Sequence, residues 1–572
     1  MTRPCNFPAR WPPRRWRPFS NTPQETTSRR SSSFPANTTS SPMLRRIPTG
    51  TNSRVRSRLA LMLKGRNIRR RSGGVPAPAL LMSAWLLAAV LAPGLLPAAE
   101  LASGTKWATP YFIVEGPAPG PTIMLTGGLH GDEPAGAHAA EQIRHWPILR
   151  GRIVVLPRAN RPGLAAGTRH LPQVAAPGQD LNRNFPRSGG GAEAQTVIGQ
   201  AIWELTRREK PDWVIDLHEG YHFHQIQSKS VGSTILASRP GDQRTRPVVT
   251  RMLAAVNATI EDPRKQFVPL RGTANGSLTR AAAERLGANC LILETTTREQ
   301  PLSLRTRQHR LMVRTLFQDI GMLGEGAPTM TRPREELGLR VALYDAGGVG
   351  GSGPRNVLEV MKKIPRSLTW RVGPSDIREG ALTHFDVVIF PGGSGSKQAA
   401  ALGVEGRRQV RTFVEQGGGF VGICAGAYLA AANYKWSLKI GDYKTFCEAR
   451  DIPGAGRKSM WYRGPSSTVR MELTSEGRRI LGDRVGAFPV RYHNGPIVSP
   501  AGFDEIPDYQ VLAWFRSEVV RYEPQTGTMV NTPAIITGSF GQGRVLSISP
   551  HPESSRDLRA MVARGIQWAC GK

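Results

Sequence analysis

The chain has 572 residues, a formal net charge of +33 and 39% apolar residues, which suits two or three globular cores rather than one. A single long apolar run excludes a multi-span membrane protein, and five Cys without paired spacing (5, 290, 424, 447 and 570) exclude a disulfide scaffold or a Cys-rich zinc finger. Residues 1–75 hold +16 of the charge, so the body is only mildly basic and no nucleic-acid partner is expected.

Residues 1–63 are rich in Arg, Ser, Thr and Pro and have no helical or strand period. They read as a disordered basic leader, or as upstream sequence if translation starts at Met43 or Met62. Residues 64–102 read as a secretory signal: basic Lys64–Arg71, apolar Ala79–Ala92, then small residues. Pro93 and Gly94 interrupt the run and disfavour a spanning helix of ~20 residues. The body is expected outside the cytoplasm, periplasmic or secreted, with a retained membrane anchor at 79–97 as the alternative.

From 105 to 322 short β-rich runs (122–126, 152–156, 213–217, 290–293) alternate with helical patterns at 135–146, 195–209 and 302–320. This predicts an α/β/α sheet domain, whose site lies beyond the carboxyl ends of its strands. The first run enters Gly127-Gly-Leu-His130-Gly-Asp-Glu133, and another ends at Asp216-Leu-His218. His130, Glu133 and His218 would make a two-His, one-Glu zinc site with a coordination position left open. A His-x-x-Glu alone reads first as a surface pair, and His222 and His224 read as residues behind the ligands or on the surface before they read as rival ligands.

In Asp180-Leu-Asn182-Arg183, Arg183 and Asn182 suit a substrate carboxylate, and Asp180 suits the free ring N–H of a zinc-bound His. The bland alternative is a turn that caps a helix. Glu294 closes the apolar run Leu291-Ile-Leu, where an acid reads as a general base or as a strand-end carboxylate bonded to backbone. Together, Gly-Gly-Leu-His130-Gly-Asp-Glu133, Asp180-Leu-Asn182-Arg183, His218 and Glu294 resemble the zinc carboxypeptidase superfamily, in its succinylglutamate desuccinylase/aspartoacylase branch. The resemblance implies Zn2+ on His130, Glu133 and His218, a carboxylate on Asn182 and Arg183, and Glu294 as base. It also implies a carbonyl-polarising role for Arg169, with a longer gap to Asp180 than the family shows.

Residues 323–337 read as a linker, and 338–572 as a second β/α series with strands at 340–344, 386–390, 419–423 and 544–548 and helices at 356–363 and 404–416. That alternation predicts a second parallel sheet. Gly422-Ile-Cys424-Ala-Gly426 has the layout of a nucleophile elbow with Cys in place of Ser. His551 and Glu553, in His551-Pro-Glu553, suit a base and its orienting group, and Phe390-Pro-Gly-Gly393 suits an oxyanion hole. A buried Cys is otherwise inert packing. The region resembles the flavodoxin-like class I glutamine amidotransferase-like superfamily. Gly-Ile-Cys-Ala-Gly-Ala-Tyr428 is most similar to the amino-terminal domain of biotin–protein ligases. The resemblance implies a Cys424, His551, Glu553 triad; biotin ligation is not expected.

The composite expectation is an exported zinc-dependent hydrolase of two α/β domains. It would cleave an amide beside a carboxylate, in a small N-acyl amino acid or a peptide. The alternatives are a metallocarboxypeptidase acting on peptides or cell-wall fragments, and a non-enzymatic surface binding protein with degenerate hydrolase domains.

Overall fold

Apolar residues that recur on both faces of a strand need cover on both sides, and two sheets with helices packed against them provide it. The computed structural model describes residues 99–571 except 192, 240–241, 335–337 and 524–525. The leader, the apolar run and the anchor segment 79–97 lie outside the described residues. Among the described residues no helix is long and apolar enough to cross a membrane.

The first region contains β1 (Ala99–Leu101), β2 (Thr109–Glu115), β3 (Thr122–Gly127), α1 (Pro134–Ile143), β4 (Arg152–Leu156), α2 (Arg161–Ala166) and α3 (Val197–Glu209). It continues with β5 (Trp213–Gly220), β6 (Thr234–Ala237), α4 (Asp242–Asn257), β7 (Val268–Arg271), α5 (Leu278–Leu286), β8 (Asn289–Thr296) and α6 (Leu302–Asp319). The sheet order is β1-β2-β4-β3-β5-β8-β6-β7, with β4, β3, β5 and β8 mutually parallel. Side chains alternate between two cores. Leu125, Leu217 and Leu293 pack with Ile143, Met252 and Leu316 of α1, α4 and α6. Met124, Val214 and Cys290 pack with Ile198 and Ala282 of α3 and α5.

The second region contains β9 (Leu339–Tyr344), α7 (Gly353–Met361), β10 (Ser367–Val372), α8 (Pro374–Arg378), β11 (Val387–Phe390), α9 (Gly395–Glu415), β12 (Gly419–Ile423) and α10 (Ala425–Ala430). Then come β13 (Tyr443–Thr445), β14 (Arg450–Ile452), β15 (Gly456–Lys458), β16 (Ser467–Leu473), α11 (Ser475–Leu481), β17 (Phe488–Tyr492), β18 (Val498–Pro500), β19 (Gln510–Phe515), β20 (Pro533–Phe540), β21 (Gly543–Ile548) and α12 (Arg559–Ala569). The main sheet runs β10-β9-β11-β12-β21-β20-β19-β16-β17.

The expectation of a wholly parallel sheet is corrected: β10, β9, β11, β12 and β21 are parallel, whereas β20, β19, β16 and β17 join antiparallel. The tight turn at Gly541-Gln542 (Gly541 φ +57°) leaves no length for a crossover, so β20 and β21 can only form a hairpin. The helix expected at 404–416 starts nine residues earlier, at Gly395, because a break at Gly403 (φ +67°) interrupts its apolar period. The helix expected at 356–363 starts at Gly353, with a proline in its first turn.

His145, just past α1, meets the segment before β9: Arg334 N–H donates to His145 Nδ1 at 3.2 Å, and the ring lies 5.6 Å from that of Trp370. Burial, helped by the Arg144 and Arg334 charges, pulls this imidazole down to about 3. The folded protein therefore keeps His145 neutral, while the unfolded chain takes up a proton below about 6.5. That stability is present above pH 6.5 and lost as pH falls toward 3, by up to about 1.4 kcal/mol per pH unit. Urea unfolding midpoints should fall from pH 7 to pH 5, and His145→Gln should flatten that slope; a slope unchanged by the substitution would contradict this assignment.

Candidate active site

At the end of β3 the chain turns through Gly128 (φ +68°) and presents His130 and Glu133 beside the carboxyl end of β5, which carries His218. Gly131 is the tight point: a Cβ there would lie 2.1 Å from the Gly163 carbonyl carbon, and its N–H donates to Arg169 O at 3.2 Å. His130, Glu133 and His218 are all buried, and one ligand atom from each falls within 4.8 Å of the others. Nδ1 of His130 is 2.8 Å from Glu133 Oε1, and Nδ1 of His218 is 2.7 Å from Glu133 Oε2 and 3.1 Å from His130 Nδ1.

The opposite ring nitrogens face carboxylates. His130 Nε2 is 3.1 Å from Asp180 Oδ1, and His218 Nε2 is 2.7 Å from Asp216 Oδ2. Asp216 also accepts from the Thr126 hydroxyl at 2.6 Å. A carboxylate behind each imidazole fixes its tautomer and turns its Nδ1 lone pair toward the common point. This donor set, two imidazole nitrogens and a carboxylate oxygen, fits a zinc-type cation.

The charges are strongly coupled. Burial pushes the Glu133 carboxyl up, but the imidazoles of His130 and His218 override it and hold it well below the usual range. Burial would likewise lower His218, but Asp216 and Glu133 hold it well above its ordinary value. Asp180 is drawn down to about 2, its desolvation outweighed by the hydrogen bond to His130 and by that ring's charge.

Glu294 sits on β8 directly beside His218 on β5. Burial pushes its carboxyl up to about 8, against the pull of His218, and Oε2 has no hydrogen-bond partner among the described residues. Arg169 reaches the same place, Nη1 donating to Glu133 Oε1 at 2.7 Å. Arg183 is half-buried and donates to Asn182 O at 2.7 Å. Asn182 is placed differently from its neighbour. It is 3% exposed, its amide nitrogen lies 3.1 Å from His218 Nε2, and its Oδ1 accepts from Leu278 N–H at 3.1 Å. These contacts tie the loop to α5 and leave the amide facing protein. His224 turns away, its Nδ1 2.7 Å from Ser230 O, and neither it nor His222 joins the three-residue cluster.

In the second region Cys424 stands between β12 and α10 with φ +50° and ψ −93°, a strained conformation held by its N–H on Ile548 O at 2.7 Å. Gly422 and Gly426 permit the crossing: a Cβ on Gly426 would lie 2.2 Å from Phe390 O. His551 lies beside Cys424, whose Sγ donates to His493 O at 3.5 Å, and the His551 Nδ1 is 2.9 Å from Glu553 Oε1. Burial lowers the His551 imidazole, but Cys424 and Glu553 together push it up to about 10. Gly392 faces the ring closely; a Cβ there would lie 2.6 Å from His551 Cε1.

Residues 119–318 match the succinylglutamate desuccinylase/aspartoacylase catalytic domain. The middle region is similar to that family over these residues. Residues 377–565 match the amino-terminal domain of biotin–protein ligase. A curated relative, an N-alpha-acetyl-L-2,4-diaminobutyric acid deacetylase of Halomonas elongata, is 36% identical over 104 residues, 18% of this chain and 29% of the relative. The chain therefore spans under a third of that relative's length. Among solved structures, Helicobacter pylori Csd4, a D,L-carboxypeptidase, matches at 21% identity over 36% of this chain and 52% of that one, TM-score 0.31. An aspartoacylase family protein of Mesorhizobium loti matches at 22% over 42% and 70%, TM-score 0.31.

Sequence reasoning gave no role to Asp216 or Glu219. Asp216 was signalled by its place two residues before His218 on one strand, where both side chains share a face. Glu219 carried no such signal, because its partner Arg305 is remote in the chain. The two thiols offer a test of the second constellation. Burial pushes the Cys290 thiol far up, whereas Cys424 has an imidazole beside it. Iodoacetamide should label Cys424 well before Cys290 at pH 7.5, and His551→Ala should slow that labelling; equal rates would remove Cys424 as a nucleophile.

Proposed function

We propose that the protein is an exported, zinc-dependent amidohydrolase that cleaves an amide bond beside a carboxylate in an N-acyl amino acid or short peptide. The observation that carries the reading is the convergence of His130 Nδ1, His218 Nδ1 and Glu133 beside the buried Glu294 carboxylate. Similarity to a deacetylase of an N-acetylated amino acid supports the substrate class. Export rests on the basic, apolar and small-residue layout of 64–102.

His130, Glu133 and His218 would hold the zinc, which when bound supplies Lewis acidity toward water and an amide carbonyl. Asp180 and Asp216 would accept the Nε2–H of each ring and so leave Nδ1 as the atom that faces the metal. Glu294 takes a proton from the attacking water and returns it to the leaving nitrogen as the C–N bond breaks, giving a carboxylic acid and an amine. A carboxyl in a desolvated pocket is suited to both halves of that transfer. Arg169 steadies charge on the carbonyl oxygen, and Arg183 grips the substrate carboxylate with its planar fork. The anchoring of Asn182 to His218 and Leu278 leaves Arg183 as the principal carboxylate contact.

The second centre is read as a thiol hydrolase of amides. His551, oriented by Glu553, takes the Cys424 proton; sulfur adds to the carbonyl carbon. The nitrogen leaves with that proton, and water then hydrolyses the thioester. The N–H groups of Gly392 and Gly393 suit the oxyanion.

The purified protein should contain about one zinc per chain, and His218→Ala should lose most of it by elemental analysis. Glu294→Gln should keep the metal and lose ~10²–10⁴-fold in turnover of N-acetylated amino acids; full turnover would overturn the base assignment. Residues 43–110 fused to a reporter that works only outside the cytoplasm should give signal, and purely cytoplasmic activity would refute export.

A further inference from the structure

Helix α6 has an unusual composition for a buried element. Arg307, Arg310 and His309 are each at most 6% exposed, and Arg305 and Arg314 are more than half covered. Its polar residues separate onto two faces at helical spacing. Ser303, Arg307 and Arg310 face the second sheet. The Ser303 hydroxyl donates to Asp345 O at the end of β9, and Arg307 and Arg310 share Asp376 Oδ1 of α8, at 3.1 and 2.7 Å. Arg307 also bonds Glu379 and, at 3.0 Å, the Thr329 hydroxyl. Asp376 is 1% exposed, and its other oxygen accepts from Gly373 N–H at 3.0 Å.

Arg305 and His309 lie on the other face and touch the residues that follow the active-site groups. Arg305 forms an ion pair with Glu219, the neighbour of His218. Glu219 accepts from Ala135 N–H at 2.7 Å and through its own N–H donates to Glu133 Oε2 at 3.0 Å. His309 Nε2 is 3.2 Å from the hydroxyl of Thr295, the neighbour of Glu294. One helix thus holds the backbone beside Glu133, His218 and Glu294, and is itself held by a carboxylate of the other region.

We propose that the carboxyl-terminal region is a positioning element for the metal centre, acting through Asp376, helix α6, Arg305 and Glu219. Asp376, shared by Arg307 and Arg310, and Glu379 on Arg307 together balance the guanidinium pair and let α6 lie buried between the sheets. Arg305 then reaches Glu219, and Glu219 fixes the α1 N-terminus and the Glu133 carboxylate. This gives the second region a role that does not depend on Cys424 chemistry. The metal-affinity part rests on the zinc reading above.

The test uses the full chain. Asp376→Asn and Arg305→Gln should each weaken zinc retention about 10–100-fold in chelator competition, as outer-shell changes do. Each should lower kcat more than it raises KM, with Asp376→Glu and Arg305→Lys recovering part of the loss. Arg408→Gln, on the exposed face of α9, should keep native zinc affinity and zinc-dependent kcat. Amide hydrogen exchange at Ala135 and Glu219, measured with metal stripped, should speed up in Asp376→Asn and Arg305→Gln while the β12 amides stay protected. If native protein binds no zinc, the zinc reading fails while the exchange experiment still decides the positioning role. Native exchange at Ala135 and Glu219 in a folded Arg305→Gln protein would overturn the proposal.

Discussion

Two imidazoles and the Glu133 carboxylate face one another in a space almost closed to water, with Asp180, Asp216 and Glu294 pressed around them. Charge of this density in a low-dielectric setting is stable only if cations or protons balance it. His218 holds its proton far above its ordinary range and Glu133 gives its proton up far below its own, so the pair balances internally. A divalent cation at the same point would take over that balance and release the protons. Much of the surrounding backbone serves to keep these groups together. The Gly128 turn and the close approach of Gly131 to Gly163 shape the loop after β3, and the bond from Glu219 N–H to Glu133 ties that loop to β5.

The second region meets a related constraint with a different solution. The Cys424 thiol carries no formal charge while protonated, so strain rather than charge marks its position. Cys424 stands in a backbone conformation that a side chain rarely adopts, and Gly422 and Gly426 make room for the crossing of β12 and α10. The imidazole that could take its proton comes from the end of β21, the strand adjacent to β12 in the sheet. Both centres therefore sit where parallel strands end, although their chemistries share no residue.

Legibility in the sequence followed the range of the interaction. Residues near each other in the chain could be read together: His130 with Glu133, His551 with Glu553, and Cys424 between small residues. Strands with unbroken aliphatic runs could be read as well. The antiparallel half of the second sheet could not, because β16 and β17 alternate buried and exposed residues instead of running unbroken, and strand direction is set by which strands pair. Asn182 illustrates a subtler limit. Its chemistry suited a substrate carboxylate, but whether an amide faces ligand or protein depends on where α5 begins, and Leu278 is 96 residues away in sequence.

By itself the sequence determined the inventory: two α/β regions, a two-His and one-Glu donor set, a cysteine elbow, and their order along the chain. Local periodicity and chemical type suffice for that, since each is expressed within a few residues. Only the tertiary structure decided how the inventory is coupled. The pattern at 302–320 gave a helix but no sign that its arginines would be buried, because Lys and Arg seldom are. Arg305, Arg307 and Arg310 became an interior connection once Asp376, Glu379 and Glu219 were brought to them from distant segments. A buried charge is tolerable only beside its counter-charge, and which carboxylates would supply it is set by the packing of the two sheets.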